Sequence, residues 1–483
     1  MSYFKPRDNQ NRLINFGANR PRCNWFAGMG TGKTGAALTL SLDLDTFGEV
    51  EEDEQILILA PKRVAETTWP DEVAAWPESF SRFSIAACVG PLEQRLAALR
   101  AKPKILTCSY DHVPWLIEQY GDDWNFPVVF ADESPLLKGL RVSIQRVHLG
   151  NGEYSKEFIR GQGGTRAKAL AQVAHKRVRR WVNMTGSPVA NGYLDLWGQQ
   201  WFIDAGAALG NSFSDFAWRW FRQKRNSDRK HQSFELMPGS SREIRAKLRP
   251  SSISIRAEDY FDVDKPVEKI IYVDLPPKAR KNYNEMQREL FTWVDEHPVE
   301  VFAAGPKMNK CLQMANGSVY VDGDGNWANI HDEKIEALKS IVVEAMGAPL
   351  LVVYVFRPDK AKILKAFPFA QTLEKNANKV AQDFRDGKIP MLVIHAKSAG
   401  HGLNLQHNCW MMVDYGSFYN LEWDEQVIER IGPMRQLQIG KKRVVFRFRI
   451  VARDTIEQSV IMPLLKMKGS LQELFKIAMK QHL

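Results

Sequence analysis

Cysteine is scarce and scattered in this chain of 483 residues. The five present, Cys23, Cys88, Cys108, Cys311 and Cys409, form no CxxC pair and accompany no histidine cluster. That argues against a zinc site and against a disulfide framework, and fits a reducing cytoplasm. Long apolar runs are missing too. "PLLVVYVF", at 349–356, is far too short to span a bilayer, so no membrane partner is expected. The polar start "MSYFKPRDNQNR" has no signal-peptide core. Acid is the minority charge: 66 Lys and Arg against 56 Asp and Glu leave a net +10, which favours a polyanionic partner, nucleic acid before membrane. Basic clusters recur at 176–180, 224–230 and 441–443, although any one of them is more often a solvated face.

The length exceeds one ordinary core and calls for two domains or more. Short apolar runs rich in β-branched residues alternate with helical patterns. The first half has "CNWFA", "ILILAP", "KILTCSY", "PVVFAD" and "WVNMTG"; the second has "LLVVYVF", "MLVIHA", "WMMVDY" and "VVFRFRI". Buried strands with polar residues at their C-terminal ends imply an α/β fold with two parallel sheets. The acidic stretch "EDYFDVDKP" marks the boundary, giving lobe 1 at 1–258 and lobe 2 at 266–483. Three segments interrupt the alternation. Residues 141–165 read as a glycine-hinged loop, expected to move. Residues 211–250 begin with a helix whose Phe213, Phe216, Ala217 and Trp220 share one face, read as packing rather than base stacking. Residues 280–330 read as helical, closing with a hairpin at "VYVDGDGNW". Asp322, Asp324, Asn326 and Glu333 have the spacing of a calcium loop, but Trp327 stands where that loop needs glycine, so calcium is not expected.

The chemistry is concentrated at strand ends. "AGMGTGKT", Ala27 to Thr34, follows a strand and opens a helix, as a phosphate-binding loop must. Gly28, Gly30, Thr31 and Gly32 let backbone N–H groups converge on phosphates, and the helix N-terminus adds its dipole. Lys33 is expected to reach the β- and γ-phosphates of ATP, and Thr34 to ligate magnesium; Ala27 departs from the usual leading glycine. Hydrolysis also needs a carboxylate for the metal and another for water. "VVFADE" supplies both, Asp132 and Glu133. "NMTGSP" ends another strand with hydroxyls at Thr185 and Ser187.

In order, this series resembles the superfamily-two helicase-like ATPases, and within them the compact Swi/Snf-type forms carried by bacteriophages. "LILAPKRVAETTWPDEVAAW" and "LTCSYDHV" resemble motifs Ia and Ib, "ADESPLLKG" motif II, "MTGSPVANGYLDLW" motif III and "LLVVYVF" motif IV. "AKSAGHGLNLQ" resembles motif V, "QVIERIGPMRQ" falls where motif VI belongs, and "ARDTIEQSV" matches the closing helix. The resemblance implies two tandem RecA-like lobes that close on ATP. It makes Gln10 the adenine-reading glutamine and adds Gly402 and Gln426 to the ATP contacts. Lys62, Arg63, Thr185, Lys397 and Ser398 become DNA contacts. It assigns Arg430 and Arg435 to transition-state charge, Arg435 as the finger and Arg430 in support. Two departures stand out: Pro135 replaces a histidine that links hydrolysis to motif III, and Pro433 occupies the place of the second arginine.

The expected activity is therefore an ATP- and magnesium-dependent helicase or translocase moving along DNA, duplex by resemblance. A role in phage replication or recombination, with proteins of those processes as partners, would put it in the host-cell cytoplasm. The alternatives are an RNA helicase-type ATPase, a phosphotransferase, and a nucleic-acid-binding module with little turnover.

Overall fold

The computed structural model describes residues 3–145, 158–224, 233–296, 305–374, 376–397 and 404–480. These fall into two compact units, one of Met1–Arg222, Phe234–Tyr260 and Leu471–Leu483, the other of Gln223–Ser233 and Phe261–Ser470.

In chain order the first strands are β1 (Arg22–Ala27), β2 (Ile56–Ala60), β3 (Ile85–Cys88), β4 (Ile105–Ser109), β5 (Val128–Asp132), β6 (Leu140–Gln145), β7 (Phe158–Gly163), β8 (Arg180–Thr185), β9 (Phe221–Lys224), β10 (Ser233–Leu236) and β11 (Ser252–Ile255). Seven form a sheet in the order β11-β1-β8-β5-β2-β4-β3, parallel throughout. The apolar runs are continuous because both faces are buried. Along β2, Leu57 and Leu59 enter one core while Ile56, Ile58 and Ala60 enter the other; along β5, Val129 and Ala131 oppose Val128 and Phe130. A side-chain period of two thus feeds two hydrophobic layers from one strand.

The second unit holds β12 (Val267–Val273), β13 (Ser318–Tyr320), β14 (Trp327–Asn329), β15 (Leu350–Tyr354), β16 (Gln371–Thr372), β17 (Met391–His395), β18 (Met411–Asp414) and β19 (Phe446–Ala452). Its sheet, β12-β19-β18-β15-β17-β16, is also parallel. Leu350, Val352 and Tyr354 pack on one side of β15, Leu351 and Val353 on the other. The expected class, two parallel α/β sheets, is the one observed. The hairpin expected near residue 320 is β13 paired antiparallel with β14.

Two segments differ from expectation. Residues 141–165 are not simply a loop: β6 and β7 pair antiparallel, with Leu140 and Val142 buried in the first unit's core. Glycine at 163 serves close approach, since a Cβ there would stand 2.0 Å from the Gly139 carbonyl oxygen at a φ of +104°. The tip, 146–157, lies outside the described residues. The chain end also departs from a second lobe running to 483. Leu471, Phe475 and Met479, spaced four apart on one helical face, pack in the first unit, where the Phe475 ring meets Phe26 and Tyr193 at 5.5 and 5.6 Å. Arg256–Glu473 and Lys480–Asp259 ion pairs accompany them, at 2.5 and 3.2 Å.

Candidate nucleotide and nucleic-acid site

In the first sheet β1, β8 and β5 are neighbours, with Phe26 opposite Thr185 and Met184 opposite Asp132. Their C-terminal ends therefore bring together the glycine loop, Thr185 with Ser187, and the Asp132–Glu133 pair. The loop ends at Gly32, whose left-handed backbone (φ 84°) starts the helix Lys33–Thr46. A side chain at 32 would collide with Gln10, the Gln10 amide nitrogen standing 2.4 Å from where a Cβ would lie. Lys33 Nζ donates to the carbonyls of Ala27 (2.8 Å) and Gly28 (3.2 Å), and Thr31 Oγ1 to Gly28 (2.7 Å). Thr34 sits half-buried in the helix's first turn. A cation folded over a loop at a helix N-terminus is the donor set a triphosphate needs, so these residues fit ATP.

Gln10 is 3% exposed. Its Nε2 donates to the Gly32 carbonyl (2.9 Å) and its Oε1 accepts from the Arg7 amide (2.9 Å). Asn9, which the motif reading passed over, donates to the Thr31 carbonyl at 2.7 Å. The glutamine thus tethers the phosphate loop, whatever contact it makes with a base.

Glu133 adopts the left-handed conformation, φ 58° and ψ 54°, one that a non-glycine residue holds at a cost of ~1–3 kcal/mol and that recurs at functional sites. Its Oε2 accepts from Thr185 Oγ1 at 3.5 Å, and Thr185 Oγ1 accepts from the Ser187 amide at 2.9 Å. The Thr185 hydroxyl and the Ser187 amide therefore link the motif II acid to motif III without the missing histidine. Pro135 is buried, and beside it Ser134 donates to Gln199 (2.8 Å), which in turn donates to the Pro188 carbonyl (3.1 Å). Burial pushes the Asp132 carboxyl above its usual range while the neighbouring Lys33 ammonium pulls it back. Tyr110 donates its hydroxyl to the Asp132 carbonyl at 2.9 Å.

Of the residues expected to touch DNA, Lys62 and Arg63 follow β2 at the same sheet edge, Lys62 exposed and Arg63 half-buried. The basic cluster 176–180 belongs elsewhere. Arg179 and Arg180 precede or open β8, at the opposite edge, and pair with Glu54 and Glu49, each at 2.7 Å. The 441–443 cluster is likewise engaged: Lys442 pairs with Asp262 (2.5 Å) and Arg443 donates to Gln436 (2.9 Å). Most of 224–230 lies outside the described residues.

In the second unit Lys397 is exposed just past β17, and its amide donates to His395 Nδ1 at 3.1 Å. Ser398 and Gly402 lie outside the described residues. The helix Leu421–Ile428 carries Gln426, whose amide donates to Glu422 at 3.3 Å. Arg430, 5% exposed, follows in a turn, and its Nε donates to the Gln426 carbonyl at 3.1 Å. Gly432 then caps a new helix, Pro433–Gln438, with proline at its first position, where the missing N–H costs nothing. The first helix therefore ends at Ile428, two residues before Arg430. Arg435 rides the short second helix, its Nη1 donating to Gln438 at 3.2 Å.

Motif matching missed what holds the first of these helices. Asp424 accepts from Arg447 (2.6 and 3.1 Å) and from Arg449 (3.1 and 3.2 Å), and Asp414 accepts from Arg447 at 2.8 Å. Arg447 is 1% exposed. Burial alone would raise Asp424, but the two arginines outweigh it and bring its pKa to about 2. Asp414 goes the other way, raised because burial outweighs the same arginines. The signal was present as "FRFR", charges at alternate places of a strand that read as apolar.

The SNF2-related domain model matches residues 23–319. The chain belongs to that family. Protein p41 of Acyrthosiphon pisum secondary endosymbiont phage 1 is 40% identical over 482 residues, covering 100% of both chains. An uncharacterized ATP-dependent helicase of Mycoplasma genitalium is 22% identical over 470 residues, 93% of this chain but 39% of the helicase. Among solved structures, the Sulfolobus solfataricus SWI2/SNF2 ATPase core in complex with dsDNA aligns at a TM-score of 0.41 with 16% identity, covering 99% and 96% of the two chains. A structure of the same core domain aligns at 0.38 with 16% identity, covering 97% and 92%. Family membership makes this chain an enzyme, a nucleic-acid-dependent ATPase of the SNF2 type. No helix among the described residues is long and apolar enough to cross a membrane.

Proposed function

We propose that this SNF2-family ATPase hydrolyses ATP with magnesium to move along DNA, duplex in preference to single strands, in phage replication or recombination. One observation carries the hydrolytic part: the glycine loop, the Asp132–Glu133 pair and Thr185–Ser187 end three adjacent parallel strands at one edge. Lys33 and the loop amides hold the phosphates. Thr34 and Asp132 would hold magnesium, which neutralises phosphate charge when bound. Glu133, held in place by Thr185, orients water and takes its proton. Arg435, with Arg430 supporting, supplies positive charge as the phosphoryl group departs. Lys62, Arg63, Thr185 and Lys397 are the backbone-phosphate contacts, at the strand ends where such sheets take ligands.

Turnover measured with single-stranded DNA, duplex, forked DNA and RNA tests the whole reading. The expected order places duplex and fork first. Greater stimulation by RNA would move the protein to the RNA helicase-type reading. Absence of turnover with every nucleic acid would leave a binding module.

A further inference from the structure

At the C-terminal ends of β15 and β17 the second unit has a cavity of about 430 Å³, within the range of ~300–1,000 Å³ typical of small-ligand sites. None of the nucleotide machinery uses it. Tyr320, the last residue of β13, lines it together with Phe356 and Arg357, where β15 passes into the helix Arg357–Ala366, and with His395 at the end of β17. Its wall is fixed. The Arg357 amide donates to the Tyr320 hydroxyl at 3.1 Å, tying the hairpin to the start of that helix. His395 Nε2 donates to the Val355 carbonyl (2.9 Å) while Nδ1 accepts from the Lys397 amide (3.1 Å), so the ring is neutral and held in one orientation. Tyr354 stands edge-on to it at 5.2 Å.

We propose that this cavity receives one nucleobase turned out of the bound strand. The inference rests on the reading that nucleic acid runs along this sheet edge, where Lys397 lies two residues past His395. The lining chooses among ligands. A free anion is disfavoured, because Glu374, 61% exposed, brings a carboxylate to the same cavity as Arg357 and Lys360. A metal ion is disfavoured too, since the described residues contain no group of three His, Cys, Asp or Glu able to hold one. A base suits all of it. The half-buried rings of Tyr320 and Phe356 offer flat apolar faces. The Lys360–Glu374 pair, 2.5 Å apart, presents a donor and an acceptor to a base edge. Arg357, exposed, can take the adjoining phosphate.

The test compares a single-stranded oligonucleotide with one of equal length that is abasic throughout. The wild-type protein should bind the base-bearing strand roughly ten-fold more tightly, the scale of one stacked base. Tyr320→Leu should erase that preference and Tyr320→Phe should keep it. In parallel, 2-aminopurine placed in the strand should change its emission on binding the wild type and Tyr320→Phe, as it leaves its stacked neighbours, and not on binding Tyr320→Leu. An unchanged unfolding midpoint and unchanged ATP affinity in the absence of nucleic acid identify the effect of Tyr320→Leu as local. Equal affinity of the wild type for both strands, with duplex-stimulated turnover intact, overturns the cavity assignment and leaves the motor reading standing. Failure to bind any nucleic acid overturns both.

Discussion

The two units present their functional residues by opposite electrostatic means. In the first, the phosphate loop is held by neutral tethers, the Asn9 and Gln10 amides on the Thr31 and Gly32 carbonyls and the Thr31 hydroxyl on Gly28, together with the Lys33 ammonium on Ala27 and Gly28. In the second, the helix leading to Arg430 and Arg435 is anchored through Asp424 to the buried Arg447 and the half-buried Arg449, with Asp414 completing the set. A loop that must receive several negative charges gains from neutral tethers, because fixed anions there would repel the ligand. A helix end that must aim cations needs only to be immobile, and a dense ionic lock serves that purpose. The lock is costly to break: removing Asp424 leaves Arg447 with Asp414 as its remaining close partner, and an incompletely matched buried charge of this kind costs up to ~3–5 kcal/mol.

The largest effects are expected where the first unit is proposed to hold the phosphates. Lys33→Ala and Glu133→Gln should each abolish nucleic-acid-stimulated hydrolysis, a loss on the order of a thousand-fold or more. Filter-bound nucleotide should persist in Glu133→Gln, which keeps Asp132. Wild-type turnover in either variant would remove the hydrolytic assignment from this sheet edge. Next in size is Arg435→Ala, expected to reduce saturated turnover by about a hundred-fold or more while DNA affinity changes by no more than about two-fold. A variant that loses DNA affinity and keeps its saturated rate would place Arg435 on the nucleic acid instead.

The ionic lock gives the third prediction. Asp424→Asn should destabilise the protein by up to ~3–5 kcal/mol at neutral pH. The pH dependence has a definite sign. Asp424 titrates at about 2 in the folded protein, below the usual carboxylate value of ~3.9. Its contribution is therefore complete above that value and is lost as pH falls toward 2. Urea unfolding followed from pH 6 to pH 2.5 should show a steeper decline for the wild type than for Asp424→Asn. Parallel curves would mean that Asp424 is not the group that holds the helix.

The lock and the loop also show what a sequence conveys. Every strand expected from an apolar run is a central strand of its sheet or pairs on both sides, because burial on both faces writes an unbroken hydrophobic stretch. Within the two parallel sheets, the four strands that escaped notice, β3, β11, β12 and β16, are the edge strands. "VEKIIYV" in β12 mixes polar and apolar places because most of that strand is exposed, whereas "SISI" in β11 is buried throughout and its two serines break the apolar run. At the site, the residues proposed to act on ATP are those that stand in short motifs: the glycine loop, Asp132–Glu133 and Arg430 with Arg435. Residues that act through distant partners were not legible in this way. Gln199 reaching Ser134 across 65 positions, and Arg447 reaching Asp424, are set by topology, and one sequence carries no trace of which pairs will meet.

A fourth, smaller effect concerns the tether. Gln10→Ala removes one hydrogen bond to the Gly32 carbonyl and one from the Arg7 amide, together worth ~1–3 kcal/mol. The Michaelis constant for ATP should rise several-fold while DNA affinity stays put. Gln10→Glu separates the two roles of this side chain. Its carboxylate can still accept from Arg7 but cannot donate to Gly32, and it brings negative charge toward the phosphates, so it should be worse than alanine. If alanine proves the worse of the two, the tether is not the role that matters.

The smallest effect expected is also the one that most sharpens the contrast between the edges of the first sheet. "KRVRR" at 176–180 looks like a nucleic-acid patch, yet Arg179 faces Glu54 and Arg180 faces Glu49 at the edge away from the strand ends. Arg179 is about half exposed, with 53% of its side chain open to solvent, so its ion pair contributes only ~0–1 kcal/mol. Arg179→Ala should therefore leave stability nearly unchanged. If that arginine does not meet phosphate, the slope of log affinity against log salt should not change either. Lys62→Ala and Lys397→Ala should each reduce that slope by roughly one, because each would remove one counterion-releasing contact. Binding measured by fluorescence anisotropy between low and moderate salt gives all three slopes in one experiment. A slope reduced by Arg179→Ala and untouched by Lys62→Ala would turn the sheet around, placing nucleic acid at the edge where β8 begins rather than where it ends.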